Sequence, residues 1–147
     1  MNVNLNKREP VYVQVIRHFK EQIATRSLEP GQEIPSRREL ANQLKINPNT
    51  AQRAYKEMEE QGLIYTEGNS PSKITKDKKI LGKVREELIE QAIDSFIAAI
   101  RPIDVPLDEV VGLIQEKYRG IKNDRSKRIE EKVWPQANIK WRFLYCE

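Results

Sequence analysis

The sequence predicts a mainly α-helical fold with one small β element, arranged as three helices and a hairpin followed by a helical pair. Three observations predict it. Apolar residues recur at three- and four-residue spacing through most of the chain, the period of a helix buried on one side. Proline and glycine punctuate those stretches where helices begin and end. One short region, near residues 63–75, reads instead as strand, turn and strand. The 147 residues, 33% charged and 38% hydrophobic, suit a globular protein with one good core or two small ones.

The first helix follows Pro10, where Val11, Val15, Ile16, Phe19 and Ile23 fall on one stripe that runs to about Ser27. Leu28-Glu29-Pro30-Gly31-Gln32 turns the chain, since Pro30 fixes its own φ and Gly31 tolerates a positive one. A second helix starts at Pro35-Ser36. Ser36 and Glu39 read as a capping box, in which hydroxyl and carboxylate each satisfy a free amide. Leu40, Ala41 and Leu44 face inward. Ile46-Asn47-Pro48 then supplies a stop and a new start: Asn47 is an N-cap, and Pro48 takes the first helical position, where its missing amide costs nothing. The third helix runs to about Gln61, with Ala51, Ala54, Tyr55 and Met58 inward and Asn49, Thr50, Gln52, Arg53 and Lys56 outward. Gly62 ends it, and Leu63-Ile64-Tyr65-Thr66, Gly68-Asn69 and Lys73-Ile74-Thr75 make the hairpin. Three helices and a small hairpin form a winged helix-turn-helix.

A second region starts near Asp77. Leu81, Val84, Leu88, Ala92 and Phe96, flanked by Ile89, Ile93, Ile97 and Ile100, form a long amphipathic helix that Arg101-Pro102 breaks. Pro106 opens a shorter helix with Val110, Val111, Ile114, Tyr118 and Ile121 on one face. Two helices cannot cover so much apolar surface by themselves, so a second copy of the chain is the expected cover. The expected interface is Leu81, Val84, Leu88, Ala92, Phe96, Ile100, Val110, Ile114 and Tyr118. The expected divisions are a winged helix-turn-helix domain at 1–76, a helical dimerisation domain at 77–122 and a charged, then aromatic tail at 123–147. Three roles stay open for the tail: an edge strand, a clamp on a partner subunit, or a segment that orders on binding.

Composition narrows the function classes. A net charge of +4 suits an anionic partner without requiring one. One histidine, His18, and one cysteine, Cys146, with scattered carboxylates give no nucleophile or acid–base constellation, so an enzyme is not expected. Metal-ligand clusters, phosphate loops and nucleotide fingerprints are lacking too, so no cofactor or metal is expected. No apolar run approaches the roughly 18 residues of a membrane span, and MNVNLNKREP has no apolar signal block. A cytoplasmic protein, away from membranes, is the expectation.

The segments Pro10-Val11-Tyr12-Val13-Gln14-Val15, Leu28-Glu29-Pro30-Gly31 and Ile34-Pro35-Ser36-Arg37-Arg38-Glu39-Leu40-Ala41 resemble the reading head of GntR-family regulators. Ile46-Asn47-Pro48-Asn49-Thr50-Ala51-Gln52-Arg53-Ala54-Tyr55 and Glu59-Glu60-Gln61-Gly62-Leu63-Ile64 look like that family's recognition helix and its exit. The short helical appendage is similar to that of the family's YtrA-like branch. The resemblance implies a homodimeric regulator that binds an operator in double-stranded DNA, whose short appendage serves dimerisation rather than a roomy metabolite pocket, and that acts on transporter operons. The wing departs from the family's Gly-x-Gly-Thr-Phe-Val pattern, since Glu67-Gly68-Asn69-Ser70-Pro71-Ser72-Lys73-Ile74 takes its place. Gly68 still permits a tight turn, Glu67 would repel phosphate, and a Pro-x-Lys tip seen in some relatives implies a phosphate role for Lys73.

In a helix-turn-helix the recognition helix enters the major groove by its N-terminal end, where free amides and the helix dipole favour phosphate. Asn49, Thr50, Gln52 and Arg53 are the expected base contacts. The family's arrangement makes Arg38 a groove or phosphate contact, with Arg37 and Lys73 on backbone phosphates. Asn47 reads as a cap rather than a base reader, Tyr12 and Gln14 as fixing helix one, and His18 as exposed. Two other classes compete: an adaptor that binds protein, supported by the acidic Glu57, Glu59, Glu60 and Glu67, and an RNA binder, supported by the aromatic tail. A small apolar effector among Phe96, Ile100, Tyr118 and the tail is a further open possibility.

Overall fold

A computed structural model describes residues 5–131, with side chains described through residue 122. The tail from 132 to 147, with Cys146 and the aromatic run, lies outside the described residues. Contacts divide the chain after Ile97 into two units.

The first unit holds α1 (Val11–Ala24), α2 (Arg37–Leu44), α3 (Pro48–Glu60), β1 (Ile64–Tyr65), β2 (Lys73–Ile74) and most of α4 (Lys78–Ile100). It is a winged helix-turn-helix. Each start and stop has a local cause. Ser36 caps α2 with both halves of the box present: Glu39 N–H donates to Ser36 Oγ at 3.2 Å, and Ser36 N–H donates to Glu39 Oε2 at 2.8 Å. Lys45, at φ 52°, turns the chain out of α2, and Asn47 Oδ1 accepts from Asn49 N–H at 2.8 Å to start α3 behind Pro48. Gly62, at φ 71°, ends α3 in a left-handed turn in which Leu63 N–H reaches Met58 O at 2.9 Å. The first helix stops at Ala24, three residues before the expected end, because Arg26 turns left-handed at φ 59° just past the Thr25 cap.

The core of this unit forms where α3 crosses α1 and α2. Phe19, Leu40, Tyr55, Met58, Leu63, Ile74 and Val15 are fully buried, and the Phe19 and Tyr55 rings meet edge to face at 6.2 Å. β1 and β2 pair antiparallel with Ile64 opposite Ile74 and Tyr65 opposite Lys73. The segment read as a plain turn does more than that. Gly31 N–H donates to Ile74 O at 2.8 Å, Ile74 N–H to Gln32 O at 2.9 Å and Ile34 N–H to Ser72 O at 2.9 Å, with Glu33 bridged to Lys73. The wing's second strand is therefore paired on both sides. Gly31 takes φ 78°, which a residue with a Cβ adopts only under strain.

Part of α4 belongs to this core. Val84 is 3% exposed within it, with Ile80, Leu81 and Leu88 packed against it. Val84 is thus corrected from an interface residue to a core residue, and Leu81 and Leu88 are partly used in the same way. Further along, Ile89, Ile93, Phe96 and Ile97 are exposed, as is Ala92, and Ile100 is half-buried.

The second unit holds a 3₁₀ turn (Arg101–Ile103), a left-handed Asp104 at φ 54°, and α5 (Leu107–Glu131). Val110 is buried, another correction to the expected interface. Leu107, Val111, Leu113, Ile114, Tyr118 and Ile121 are exposed. At 25 residues α5 is longer than the 23-residue α4, not shorter, and runs on through the charged stretch. Residues 122–131 contain neither proline nor glycine, and Lys, Arg and Glu are good helix formers.

Candidate nucleic-acid interface

The N-terminal half of α3 presents the residues expected to face a groove. Asn49, Gln52 and Arg53 are exposed and Thr50 is half-buried, while Ala51, Ala54 and Tyr55 behind them are buried. A helix with one face sunk in a core can offer the other only at a fixed angle, which rigidifies whatever its outward side chains reach.

Arg53 is held rather than free. Its Nε donates to Glu57 Oε1 at 3.1 Å, its Nη2 donates to the Tyr12 hydroxyl at 2.9 Å, and the guanidinium lies 3.8 Å from the Tyr12 ring centroid. Tyr12 and Glu57 are the residues that the sequence did not identify here. Tyr12 sits 41 positions from Arg53, so no local pattern joins them.

The two arginines of α2 behave differently. Arg38 is exposed. Arg37 Nη2 donates to Glu59 Oε1 at 3.3 Å and its guanidinium stands 5.5 Å from the Tyr55 ring, while its buried Nε has no partner among the described residues. The same Glu59 oxygen accepts from Thr66 Oγ1 at 2.8 Å, and Thr66 meets Ser72 Oγ at 2.8 Å. Arg37 thereby ties α2 to α3 and the wing. Below it, Tyr55 donates its hydroxyl proton to Pro35 O, and burial pushes its phenol well above its ordinary range against the opposing pull of Arg37.

In the wing, Gly68 has φ 57° with open space around it, so positive φ alone calls for glycine. Lys73 is half-buried on β2 between Glu33 and Tyr65, and Glu67 is exposed at the turn.

The acidic run on α3 is largely paired within the chain. Glu57 meets Arg53, Glu59 meets Arg37 at 3.3 Å, and Glu60 stands 3.9 Å from Lys56. That pairing removes most of the free negative surface on which an adaptor reading relied. At the other end of the unit, Gln14 is buried and clamps the segment before α1: its Oε1 accepts from Asn6 N–H at 2.8 Å, and its Nε2 donates to Asn6 O at 2.9 Å and Glu9 O at 2.8 Å. Glu9 and Arg17 add an ion pair of 2.7 Å, whose hydrogen bond holds the Glu9 carboxyl below its usual range. His18 is half-buried with its Nε2 out of solvent, not exposed as expected.

A cavity of about 150 Å³ among α1, α3 and α4 has an ionic lining already paired, with Lys20 on Glu87, Arg17 on Glu9 and Glu57 on Arg53. Among the described residues no group of three or more His, Cys, Asp or Glu is placed to hold a metal ion, and no helix is long and apolar enough to cross a membrane.

The profile described as "Bacterial regulatory proteins, gntR family" matches residues 11–74, which span α1 through the wing. The HTH-type transcriptional regulator YhcF of Bacillus subtilis is 28% identical over 120 residues, covering 82% of this chain and 99% of that protein. The HTH-type transcriptional repressor YtrA of the same organism is 37% identical over 97 residues, covering 62% of this chain and 75% of that protein. Among solved structures, a GntR family transcriptional regulator from Listeria monocytogenes superposes with a TM-score of 0.69 at 28% identity, covering 76% of this chain and 98% of that one. With its reading head, its wing and its helical appendage matched together, the chain belongs to the GntR family of bacterial regulatory proteins and is a DNA-binding transcriptional regulator, not an enzyme.

Proposed function

We propose that this protein binds an inverted-repeat operator in double-stranded DNA as a homodimer and represses the promoter it occupies. The observation that carries the reading is the outward face of α3, polar and basic at its N-terminal end and backed by a fully buried face. Asn49, Thr50, Gln52 and Arg53 read base edges there, Arg38 contacts the groove or a phosphate, and Lys73 and the Gly68 turn bring the wing to the backbone. Arg37 contributes less directly, since its guanidinium is tied to Glu59 and Tyr55.

Dimerisation rests on the apolar residues that follow the reading head: the exposed Ala92 and Phe96 and the half-buried Ile100 on α4, and the exposed Ile114 and Tyr118 on α5. Large apolar side chains left in water at this density mark a surface that another chain covers. Two reading heads about a two-fold axis fit half-sites roughly 34–36 Å apart, or a multiple of that. Repression agrees with the named activity of Bacillus subtilis YtrA, and the resemblance to its branch suggests a transporter operon as the target, regulated in the cytoplasm.

Selection of bound duplexes from a random pool, followed by titration of the recovered sequence at two salt concentrations, tests this reading. An enriched inverted repeat bound less tightly at higher salt is the expected result. A folded dimer that enriches no sequence overturns it.

A further inference from the structure

We infer that Tyr12 is a specificity-determining positioning residue, which holds the Arg53 guanidinium over its ring and aims the remaining donors of Arg53 at a base edge. The inference rests on the reading of Arg53 as a base contact.

The donor count supports it. A guanidinium carries five N–H groups. In this chain Nε–H goes to Glu57 and one N–H of Nη2 goes to the Tyr12 hydroxyl. Both hydrogens of Nη1 and one of Nη2 remain, so the outer end of the guanidinium keeps donors for a base edge. The side chain stays 60% exposed while so held, so it faces outward rather than being folded into the core.

Tyr12 suits the task for two physical reasons. A ring face attracts a guanidinium without adding a counter-charge, so Tyr12 holds Arg53 with no more neutralisation than Glu57 already brings. Tyr12 also sits on the first turn of α1, which packs on α3 and is fixed at its start by the Gln14 clamp. The ring is therefore a fixed platform. An unsupported arginine on a helix surface must give up its rotamer freedom on binding, and one already stacked gives up less.

The test uses the full chain, a duplex recovered by selection, and the same duplex with each half-site base replaced in turn. Arg53→Ala locates the position at which Arg53 sets preference. Tyr12→Ala and the bulkier Tyr12→Leu should each lower preference at that position by about three- to tenfold, with affinity for unrelated duplexes unchanged. Tyr12→Phe keeps the stacking face and should keep most of the preference. In the Arg53→Ala background, Tyr12→Ala should remove nothing further. The inference is overturned if the Tyr12 variants weaken all duplexes alike, if the loss is confined to Tyr12→Ala and absent in Tyr12→Leu, or if the loss persists without Arg53; in those cases Arg53 itself still stands as a base contact. If Arg53→Ala changes preference at no position, the reading of Arg53 fails first, and the inference falls with it.

Discussion

Lys20 on α1 and Glu87 on α4 are joined by two hydrogen bonds of 2.8 Å, one to each carboxylate oxygen, and the Lys20 side chain is only 12% exposed. The pair spans 67 positions and fastens α4 to the reading head beside the buried Val84. A charge so far out of water depends on its partner more than a surface charge does.

Glu87→Gln should therefore cost about 1 kcal/mol of stability in urea unfolding at fixed protein concentration, since the carboxylate is itself partly solvated. Lys20→Met together with Glu87→Gln should cost less than the sum of the two single changes. Strict additivity would show that the pair does not couple the helices.

Core and interface positions on α4 should separate cleanly. Val84→Ala should destabilise the protein by about 1–3 kcal/mol and leave self-association unaltered, because its side chain faces the reading head's own core. Phe96→Asp combined with Ile93→Asp should do the reverse, giving a monomer by sedimentation with little change in melting and an operator affinity lower by roughly 100-fold. A double variant that remains a dimer would remove this face from the interface.

The capping box gives a pH dependence with a definite sign. Hydrogen bonds from the Ser36 backbone and hydroxyl hold the Glu39 carboxyl below its ordinary value. A depressed carboxyl contributes stability above its unfolded value, near about pH 4.3, and loses it as pH falls through the lower folded value. The melting difference between the wild type and Glu39→Gln should accordingly be widest near neutral pH and shrink on acidification below that point. A difference that is flat across this range would mean the carboxylate does not act through its charge.

Lys73 should behave unlike Arg53. As a phosphate contact, Lys73→Ala should weaken binding to every duplex about equally and lower the salt slope by about 1, whereas Arg53→Ala should cost sequence preference. Equal loss of preference in both variants would overturn that division.

Signals that act within one turn of chain were readable in the sequence. Ser36 with Glu39, Asn47 with Pro48, and Gly62 each satisfy or release backbone groups only a few residues away, so residue type and spacing suffice to place them. The buried stripes of α1, α2 and α3 were equally plain, because a helix that packs on one side must repeat its apolar residues at the helical period. Those features determined the winged helix-turn-helix and the family likeness.

What only the tertiary structure decided depends on how the helices cross. Tyr12 beneath Arg53, Lys20 on Glu87 and Arg37 on Glu59 join residues that no periodicity relates. Glu33 became a strand partner of Lys73 because the wing folded back beside it, and Val84 left the expected interface because α4 begins by packing on the reading head. An apolar residue in the sequence states that it will be covered; which surface covers it is settled by the packing of elements far apart in the chain.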